Sequence, residues 1–250
     1  LTSSEKVSGT MLFDKFQTMA DFQTELAERE VRPFGAVTEE IISATEGVVD
    51  GRRVILAGTN NYLGLSYDQR CIDKAKEAAQ RWGTGTTGSR LANGSFSEHQ
   101  SLETEIAAFY GVNHAIVFST GYLANLGILS ALTDRDDVIV IDGDCHASIY
   151  DGCQMGGAEV IRFRHNDADD LAKRLHRLGS RAANALIVIE GIYSMLGDRA
   201  PLKEIAAVKR EYGGYLLVDE AHSLGVLGER GLVGVCDEHD SVDLITGTFS

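Results

Sequence analysis

The chain has 250 residues, of which 44% are hydrophobic, and it carries a formal net charge of −14. This length and apolar content suffice for one large α/β domain with a substantial core. The excess of acids argues against a nucleic acid or an anionic membrane surface as the main partner, because both favour lysine and arginine.

The sequence carries no recognisable targeting or membrane-spanning signal. No apolar run approaches the roughly 20 residues that cross a bilayer, and the polar start "LTSSEKVSGT" lacks the core of a signal peptide. None of the four cysteines belongs to a CxxC pair; they are Cys71, Cys145, Cys153 and Cys236. We therefore expect free thiols in a reducing cytoplasm. Peripheral contact with the inner membrane stays an open alternative.

The first part of the chain predicts few regular elements. Residues 1–50 are polar and helical in tendency, and a turn at Asp50–Gly51 ends them. The stretch "RRVILAGTNNYLG" predicts a short strand and a loop, and a helix follows over 68–82. A Gly-rich loop, "GTGTTGSRLANG", then leads to a helix in "SFSEHQSLETEIAAFYG" that ends at a glycine. We expect 1–55 to form an N-terminal arm and 56–250 a large domain.

Short apolar strands alternate with helices from residue 114 onward. Such alternation predicts βαβ units and a mostly parallel sheet. Strands of this kind are buried on both faces and read as continuous apolar runs. The predicted strands are "AIVFS", "DVIVID", "AEVIRF", "ALIVIEG", "GYLLVD" and "DLITGT".

Polar groups follow most of these strands directly. Ligands of open α/β sheets bind at the carboxyl ends of the strands, so these groups are candidates for one site. They fit neither a metal-ligand spacing nor the chain order of a Ser-His-Asp triad. Individually, a strand-end Asp is often a helix cap, a lone His is more often structural, and a Gly usually serves a turn. The candidates are Gly121, Tyr122, His146, Ser194, Asp219, His222, Thr248 and Ser250.

A flat cationic ring that carries a phosphate would use all of these groups together. The helix that begins at Gly121 and Tyr122 offers N–H donors to a phosphate, and Thr248 and Ser250 add hydroxyls. Asp219 suits a protonated ring nitrogen. His222 can reach an oxygen on the ring edge, and His146 can stack on its face. Pyridoxal 5′-phosphate is the cofactor with this chemistry.

The stretch "VDEAH" also matches the Walker B strand of DEAH-type nucleic-acid ATPases. That interpretation requires an upstream phosphate loop of the form GxxxxGK[ST]. The nearest candidate, "GTGTTGSR", has glycines at Gly83 and Gly88, but Ser89 stands where lysine is required and Arg90 follows. The loop also follows a predicted helix, so the sequence disfavours an ATPase.

The motifs resemble the α-oxoamine synthase family of fold-type I pyridoxal phosphate enzymes. The resemblance is continuous from Asn60 to Ser250 and covers "NNYLGL", "FSTGYLANLG", "DGDCHASIYDG", "FRHND", "EGIYSMLGDRAPL", "VDEAHSLGVLGERG" and "GTFS". Within the family, "HASIYDGCQ", "RFRHND" and "YSMLGD" are most similar to the bacterial serine palmitoyltransferases. Leu196 supports this subgroup, because relatives with other acyl donors usually carry Asp there.

The resemblance implies an aminotransferase-like large domain and a decarboxylating condensation of L-serine with palmitoyl-CoA to 3-oxosphinganine, the first step of sphingolipid synthesis. It implies a homodimer and the cofactor roles given above. His146, Asp219 and His222 would be catalytic, and His146 would also contact the substrate carboxylate. Ser194 would lie near the ring oxygen. Asn61 would line the substrate pocket, although a simple turn residue is equally consistent with its position.

The resemblance places two further parts after Ser250: the Schiff-base lysine, directly, and a smaller C-terminal domain. Lys203 and Lys209 lie on a predicted helix and are expected to be solvated. Either the polypeptide continues with a cofactor-modified lysine, which the retained contacts at Asp219, His222 and His146 favour, or the chain is a lysine-lacking partner subunit. A family member that uses glycine or alanine with another acyl-CoA is a further alternative.

Overall fold

The computed structural model describes residues 11–29 and 35–249, so Ser250 lies outside the described residues. The chain divides into two compact units. The smaller consists of Leu1–Thr59 and Gly64–Gln69, and the larger of Asn60–Leu63 and Arg70–Ser250. In the described part of the chain, no helix combines the length and the apolar character that a membrane span requires.

The smaller unit contains a helix and a three-stranded antiparallel sheet in the order β1-β2-β3. Its elements are α1 (Gln17–Glu28), β1 (Thr38–Ile41), β2 (Glu46–Val49) and β3 (Arg52–Ile55). The predicted turn at Asp50–Gly51 is confirmed, with φ of 50° and 69° at its two residues. Positive φ at both residues matches the twist of a tight hairpin.

The expected helical tendency up to residue 50 is wrong for the two strands before this turn. Val49 pairs with Arg52 and Glu46 with Ile55 across the hairpin. The β-branched residues on both sides of Asp50–Gly51 suit a pleated surface. The two-residue turn brings them into register, and strand pairing therefore overrides the helical tendency.

The larger unit is built on a five-stranded, fully parallel sheet in the order β5-β4-β6-β7-β8. The strands are β4 (Val138–Asp142), β5 (Glu159–Phe163), β6 (Leu186–Glu190), β7 (Tyr215–Asp219) and β8 (Leu244–Thr246). Every residue of β4 and β6 is buried. The predicted α/β class with a mostly parallel central sheet is confirmed.

Helices precede and connect these strands, and those predicted over 68–82, in "SFSEHQSLETEIAAFYG", from Gly121 and around Lys203 and Lys209 are confirmed. They are α2 (Gln69–Trp82), α3 (Ser97–Tyr110), α4 (Gly121–Leu132), α5 (Ala147–Gly156), α6 (Ala168–Leu178), α7 (Leu202–Tyr212) and α8 (Gly231–Cys236). The Gly-rich loop that begins at Gly83 follows α2, as predicted, and not a strand. All four cysteines are free thiols, as predicted, and Cys145 and Cys153 are buried in the core.

The predicted strand at 115–119 is absent. The backbone of Val117 bonds to side chains instead of a neighbouring strand. Its N–H donates to Glu103 Oε1 at 2.9 Å, and its carbonyl accepts from Arg90 at 3.1 Å. Arg90 and Glu103 also pair with each other at 2.9 Å. An apolar run becomes a strand only when a ladder satisfies its backbone, and here an ion pair takes the place of the ladder at Val117.

Lys209 departs from the expected solvated helix surface. Its ammonium group donates to the Ser241 carbonyl at 2.8 Å and to the Asp243 carboxylate at 2.5 Å, and only 13% of its side chain is exposed. Asp243 in turn accepts from the backbone N–H of Leu216 at the start of β7. Lys209 therefore helps to join α7 to the segment before β8, whereas Lys203 is exposed as expected.

Gly152 lets α4 and α5 approach each other closely. A Cβ atom at this position would lie 2.9 Å from the Asn125 carbonyl oxygen and 3.0 Å from side-chain atoms of Leu129. Contacts that short are essentially unseen between real atoms of this kind, so any larger residue would force the two helices apart. The glycine thus sets the spacing between Asn125 on α4 and the first turn of α5.

Buried Glu220 fastens the turn after β7 to helix α8. Its carboxylate accepts from the backbone N–H groups of Leu232 at 3.0 Å and Val233 at 2.8 Å, and from the Ser223 hydroxyl. Glu220 is fully buried. The second acid of "VDEAH" is therefore a structural fastening, in contrast to Asp219 beside it.

We expect Glu220→Ala in the full-length protein to lower the free energy of unfolding by about 2–4 kcal/mol, because three donors lose their acceptor in a buried place. Urea unfolding measures the change. Glu229→Ala, at an exposed position of the same loop, is the matched control and should shift the free energy by less than about 0.5 kcal/mol. Equal effects of the two substitutions would contradict the fastening role.

Candidate active site

Asp219 ends strand β7 with its carboxylate almost completely buried at 5% exposure. Oδ2 accepts from the side-chain amide of Asn125 at 2.7 Å, and Oδ1 accepts from the backbone N–H of Ala221 at 2.9 Å. Among residues 11–29 and 35–249, no lysine or arginine pairs with it. A buried carboxylate without a protein cation is suited to a cationic ligand.

Glu190 ends the neighbouring strand β6 and is paired in register with Asp219. Its carboxyl group accepts from the backbone N–H of His146. Burial and the negative charge of Asp219 raise the pKa of Glu190 to about 8, while the N–H groups of His146 and Ser194 oppose this shift. At pH 7 Glu190 therefore holds a proton in most molecules.

His146 caps the N-terminus of helix α5, directly after β4. Its Nδ1 atom accepts from the backbone N–H of Ser148 at 3.2 Å and lies 2.8 Å from the Ser148 hydroxyl. The ring meets that of Tyr122 edge-on, with centroids 6.3 Å apart. These contacts fix the imidazole plane beside the start of α4.

His222 lies in the loop after β7, two residues beyond Glu220. Its Nδ1 atom is 2.8 Å from the Tyr62 hydroxyl. Burial lowers the pKa of His222; Asp219 opposes this effect and His146 reinforces it. His222 is therefore neutral at pH 7 and can serve as a hydrogen-bond donor and acceptor.

The start of helix α4 offers donors at the same edge of the sheet. The Thr120 side chain caps it by accepting from the N–H of Leu123 at 3.1 Å, and the first amides of a helix have no intrahelical acceptor. A Cβ atom on Gly121 would lie 3.3 Å from the Cβ of Thr248, so the threonine borders this helix end. Tyr122 turns its hydroxyl to Asp151 on α5.

A second polar cluster lies at the carboxyl ends of β4 and β5. His165 Nδ1 bonds to Asp142 and His165 Nε2 to Asp198, each at 2.9 Å. Burial would lower the pKa of His165, but these two carboxylates outweigh it and raise the pKa. Although Asp142, Asp144 and His165 could each offer one metal ligand within 4.8 Å, both ring nitrogens are already bonded. This cluster is an ion network that ties "FRHND" to "SMLGD".

The predicted residues separate into three groups. Asp219 and His146 lie close enough to His222 to affect its pKa. Gly121 adjoins Thr248, and the ring of Tyr122 meets that of His146. Asn61 is partly buried and Ser194 exposed. Ser250 lies outside the described residues.

Three residues at the site were not predicted from the sequence. Asn125 is one helical turn beyond Gly121, so its position on the inner face of α4 was available from helix periodicity. Glu190 is the last residue of strand β6, whereas most of the predicted site residues follow the end of a strand. Tyr62 is 160 residues from its partner His222, and no local pattern joins them.

Comparison with known proteins decides the family. Residues 52–250 match the family model of aminotransferase class I and II. The chain belongs to this family. The serine palmitoyltransferase of Caulobacter vibrioides is 60% identical over 96% of the chain, and that of Sphingomonas paucimobilis 48% identical over 96%. The predicted family resemblance is thus confirmed.

A solved structure agrees with the same assignment. The serine palmitoyltransferase from S. paucimobilis with a bound PLP–myriocin aldimine matches with a TM-score of 0.92 at 47% identity, over 96% of this chain and 61% of that one. The chain spans 60% of the length of the C. vibrioides protein and 57% of the S. paucimobilis protein.

We expect the free energy of unfolding to fall as pH rises from about 4.5 to about 8, because the folded state holds the Glu190 proton more tightly than the unfolded state. Glu190→Gln should flatten this slope, since the amide cannot ionise. Urea unfolding of the full-length protein, freed of bound small molecules, at about pH 5 and about pH 9 measures it.

The exposed Glu204→Gln on α7 is the control for this measurement and should keep the wild-type slope. A wild-type slope in Glu190→Gln would show that the site does not hold the titrating group.

Proposed function

We propose that the full-length protein is a pyridoxal phosphate-dependent serine palmitoyltransferase. It would condense L-serine with palmitoyl-CoA, with loss of carbon dioxide, to give 3-oxosphinganine. The observation that carries the proposal is buried Asp219, held by two hydrogen-bond donors and without a protein cation in the described part of the chain. The relatives named serine palmitoyltransferase support the substrates.

The residues of the site fit the proposed cofactor. Asp219 offers a fixed negative charge to a pyridinium nitrogen, and neutral Glu190 beside it adds no second charge. The unbonded Oδ1 atom of Asn125 and Oγ1 atom of Thr246 are buried at the same edge and have no hydrogen-bond partner among the described residues. Buried polar atoms of this kind commonly bind a ligand or a water molecule.

Each group would have a separate task when the cofactor is bound. The cofactor supplies an electron sink for a carbanion at the amino-acid α-carbon. Asp219 would keep the ring nitrogen protonated, because the charge of its carboxylate stabilises the cation. Gly121 and Tyr122 would bind the phosphate through backbone N–H groups, with Thr248 and Ser250 beside it.

The two histidines would orient the ring and the substrate. His146, fixed at the start of α5, would lie against the ring and donate to the substrate carboxylate. His222, neutral at pH 7, would reach the ring-oxygen region together with Ser194. Asn61 would line the substrate pocket. Because His222 bonds to Tyr62 through Nδ1, its Nε2 atom is the one available to a ligand.

Two alternative functions indicated by the sequence each predict a different observation. Another α-oxoamine synthase would accept glycine or alanine in place of serine. A lysine-lacking partner subunit would carry a residue other than lysine directly after Ser250. We propose a homodimer located in the cytoplasm, where contact with the inner membrane would give access to a long-chain acyl donor.

We expect Asp219→Ala in the full-length protein to reduce turnover by about 100-fold or more, because a preorganised charge at the reacting system is removed. The absorbance of bound pyridoxal phosphate and the rate of CoA release are the measurements. Asp240→Ala, an exposed acid, should change neither. Unchanged turnover in Asp219→Ala would refute the assigned role.

We expect L-serine to change the absorbance of the bound cofactor and to support CoA release from palmitoyl-CoA, because the relatives at 60% and 48% identity are serine palmitoyltransferases. The assay compares serine, glycine and alanine with acyl-CoAs of several lengths. A response to glycine or alanine without one to serine would favour the other α-oxoamine synthases.

A further inference from the structure

A continuous chain of hydrogen bonds links Asp219 to the imidazole of His146. Asn125 Nδ2 bonds to Asp219 Oδ2 at 2.7 Å and to Ser148 Oγ at 3.0 Å, and Ser148 Oγ lies 2.8 Å from His146 Nδ1. Asn125, Ser148 and Asp219 are 3%, 0% and 5% exposed. These three residues are therefore shielded from solvent, where each bond keeps a defined direction, whereas His146 at the end of the series is exposed.

The direction of donation follows from the partners at each end. A carboxylate only accepts, so the atom of Asn125 that faces Asp219 must be the amide nitrogen, which has two hydrogens to donate. Its second hydrogen goes to Ser148 Oγ. Because the Ser148 oxygen accepts there, its single proton is free to point at His146 Nδ1.

An independent contact gives the same result at His146. The backbone N–H of Ser148 donates to Nδ1 at 3.2 Å as part of the helix cap. Nδ1 thus faces two donors from one residue and must present its lone pair to them. A neutral imidazole in this position carries its hydrogen on Nε2.

We propose that Asn125 and Ser148 are positioning residues that hold His146 as the Nε2–H tautomer while they orient Asp219. In this arrangement α4 supplies the amide, α5 supplies the hydroxyl, and Gly152 lets the two helices come close enough for the bond. The functional meaning rests on the proposed function: an Nε2–H donor suits the carboxylate of an amino-acid substrate, whereas a bare Nε2 atom would repel it.

The test is nitrogen-15 NMR of full-length protein with labelled histidine, without cofactor. We expect the His146 signals to show a pyridine-type Nδ1 and a pyrrole-type Nε2, with His146→Gln used for assignment. Ser148→Ala removes one of the two donors to Nδ1 and should shift the ratio of tautomers toward Nδ1–H by roughly five- to tenfold.

Two further variants make the result specific. Ser130→Ala removes a hydroxyl that bonds only to the backbone of α4 at Leu126, and it should leave the His146 signals unchanged. Asn125→Leu keeps the side-chain size and removes the donor to Ser148, so it should shift the ratio in the same direction as Ser148→Ala.

If a variant fails to fold, the wild-type spectrum by itself still tests the proposal. A pyrrole-type Nδ1 in the wild type would overturn the proposal, and so would an unchanged ratio in folded Ser148→Ala. With cofactor and substrates, Ser148→Ala should raise KM for serine more than it lowers kcat. If His146 is the Nε2–H tautomer but the protein binds no pyridoxal phosphate, the positioning role of Asn125 and Ser148 stands. That result would refute the proposed function instead.

Discussion

The candidate site depends on the placement of two acids, Glu190 and Asp219, side by side on adjacent strands. Parallel register places both acids at the carboxyl ends of adjacent buried strands. Burial and the nearby Asp219 carboxylate raise the pKa of Glu190 to about 8, so Glu190 retains its proton at neutral pH. The remaining charge is fixed by donors from α4 and from the turn after β7. This arrangement supports the proposed role of Asp219 beside a positively charged ring.

A series of hydrogen bonds around the two acids holds this arrangement. The N–H of His146 satisfies Glu190, Asn125 satisfies Asp219, and the cap of α5 holds His146 in turn. Glu220 secures the loop that carries His222 by bonding to the start of α8. The motif "VDEAH" therefore contains two adjacent acids with different tasks. Asp219 presents its carboxylate to the candidate site, and Glu220 holds the loop to helix α8.

The sequence predicted the parallel sheet because its strands are continuous apolar runs separated by amphipathic helices. It also predicted which strand ends carry polar groups, since the parallel topology brings them to one edge. It failed at 115–119, where an apolar run bonds to the Arg90–Glu103 pair, and at 38–49, where a hairpin overrides helical tendency. Those outcomes depend on contacts with distant residues.

The missed site residues have the same cause. Asn125 and Tyr62 act on partners 94 and 160 residues away, and a local pattern contains no information on such pairs. Glu190 reads as the polar end of a strand, and only the register with Asp219 gives it an unusual protonation state. Local patterns thus located the edge of the sheet that carries the candidate site, but the proton positions required the three-dimensional neighbours.

Gly152 has a consequence that reaches beyond packing. It is buried between α4 and α5 and has no side chain of its own, yet it sets how far Asn125 stands from Ser148. A single added methyl group would lengthen that gap and free the imidazole to exchange its hydrogen between nitrogens. A substitution of Gly152 would thus have the same effect as a change at His146 itself. Mutagenesis confined to the side chains that line the site would miss it.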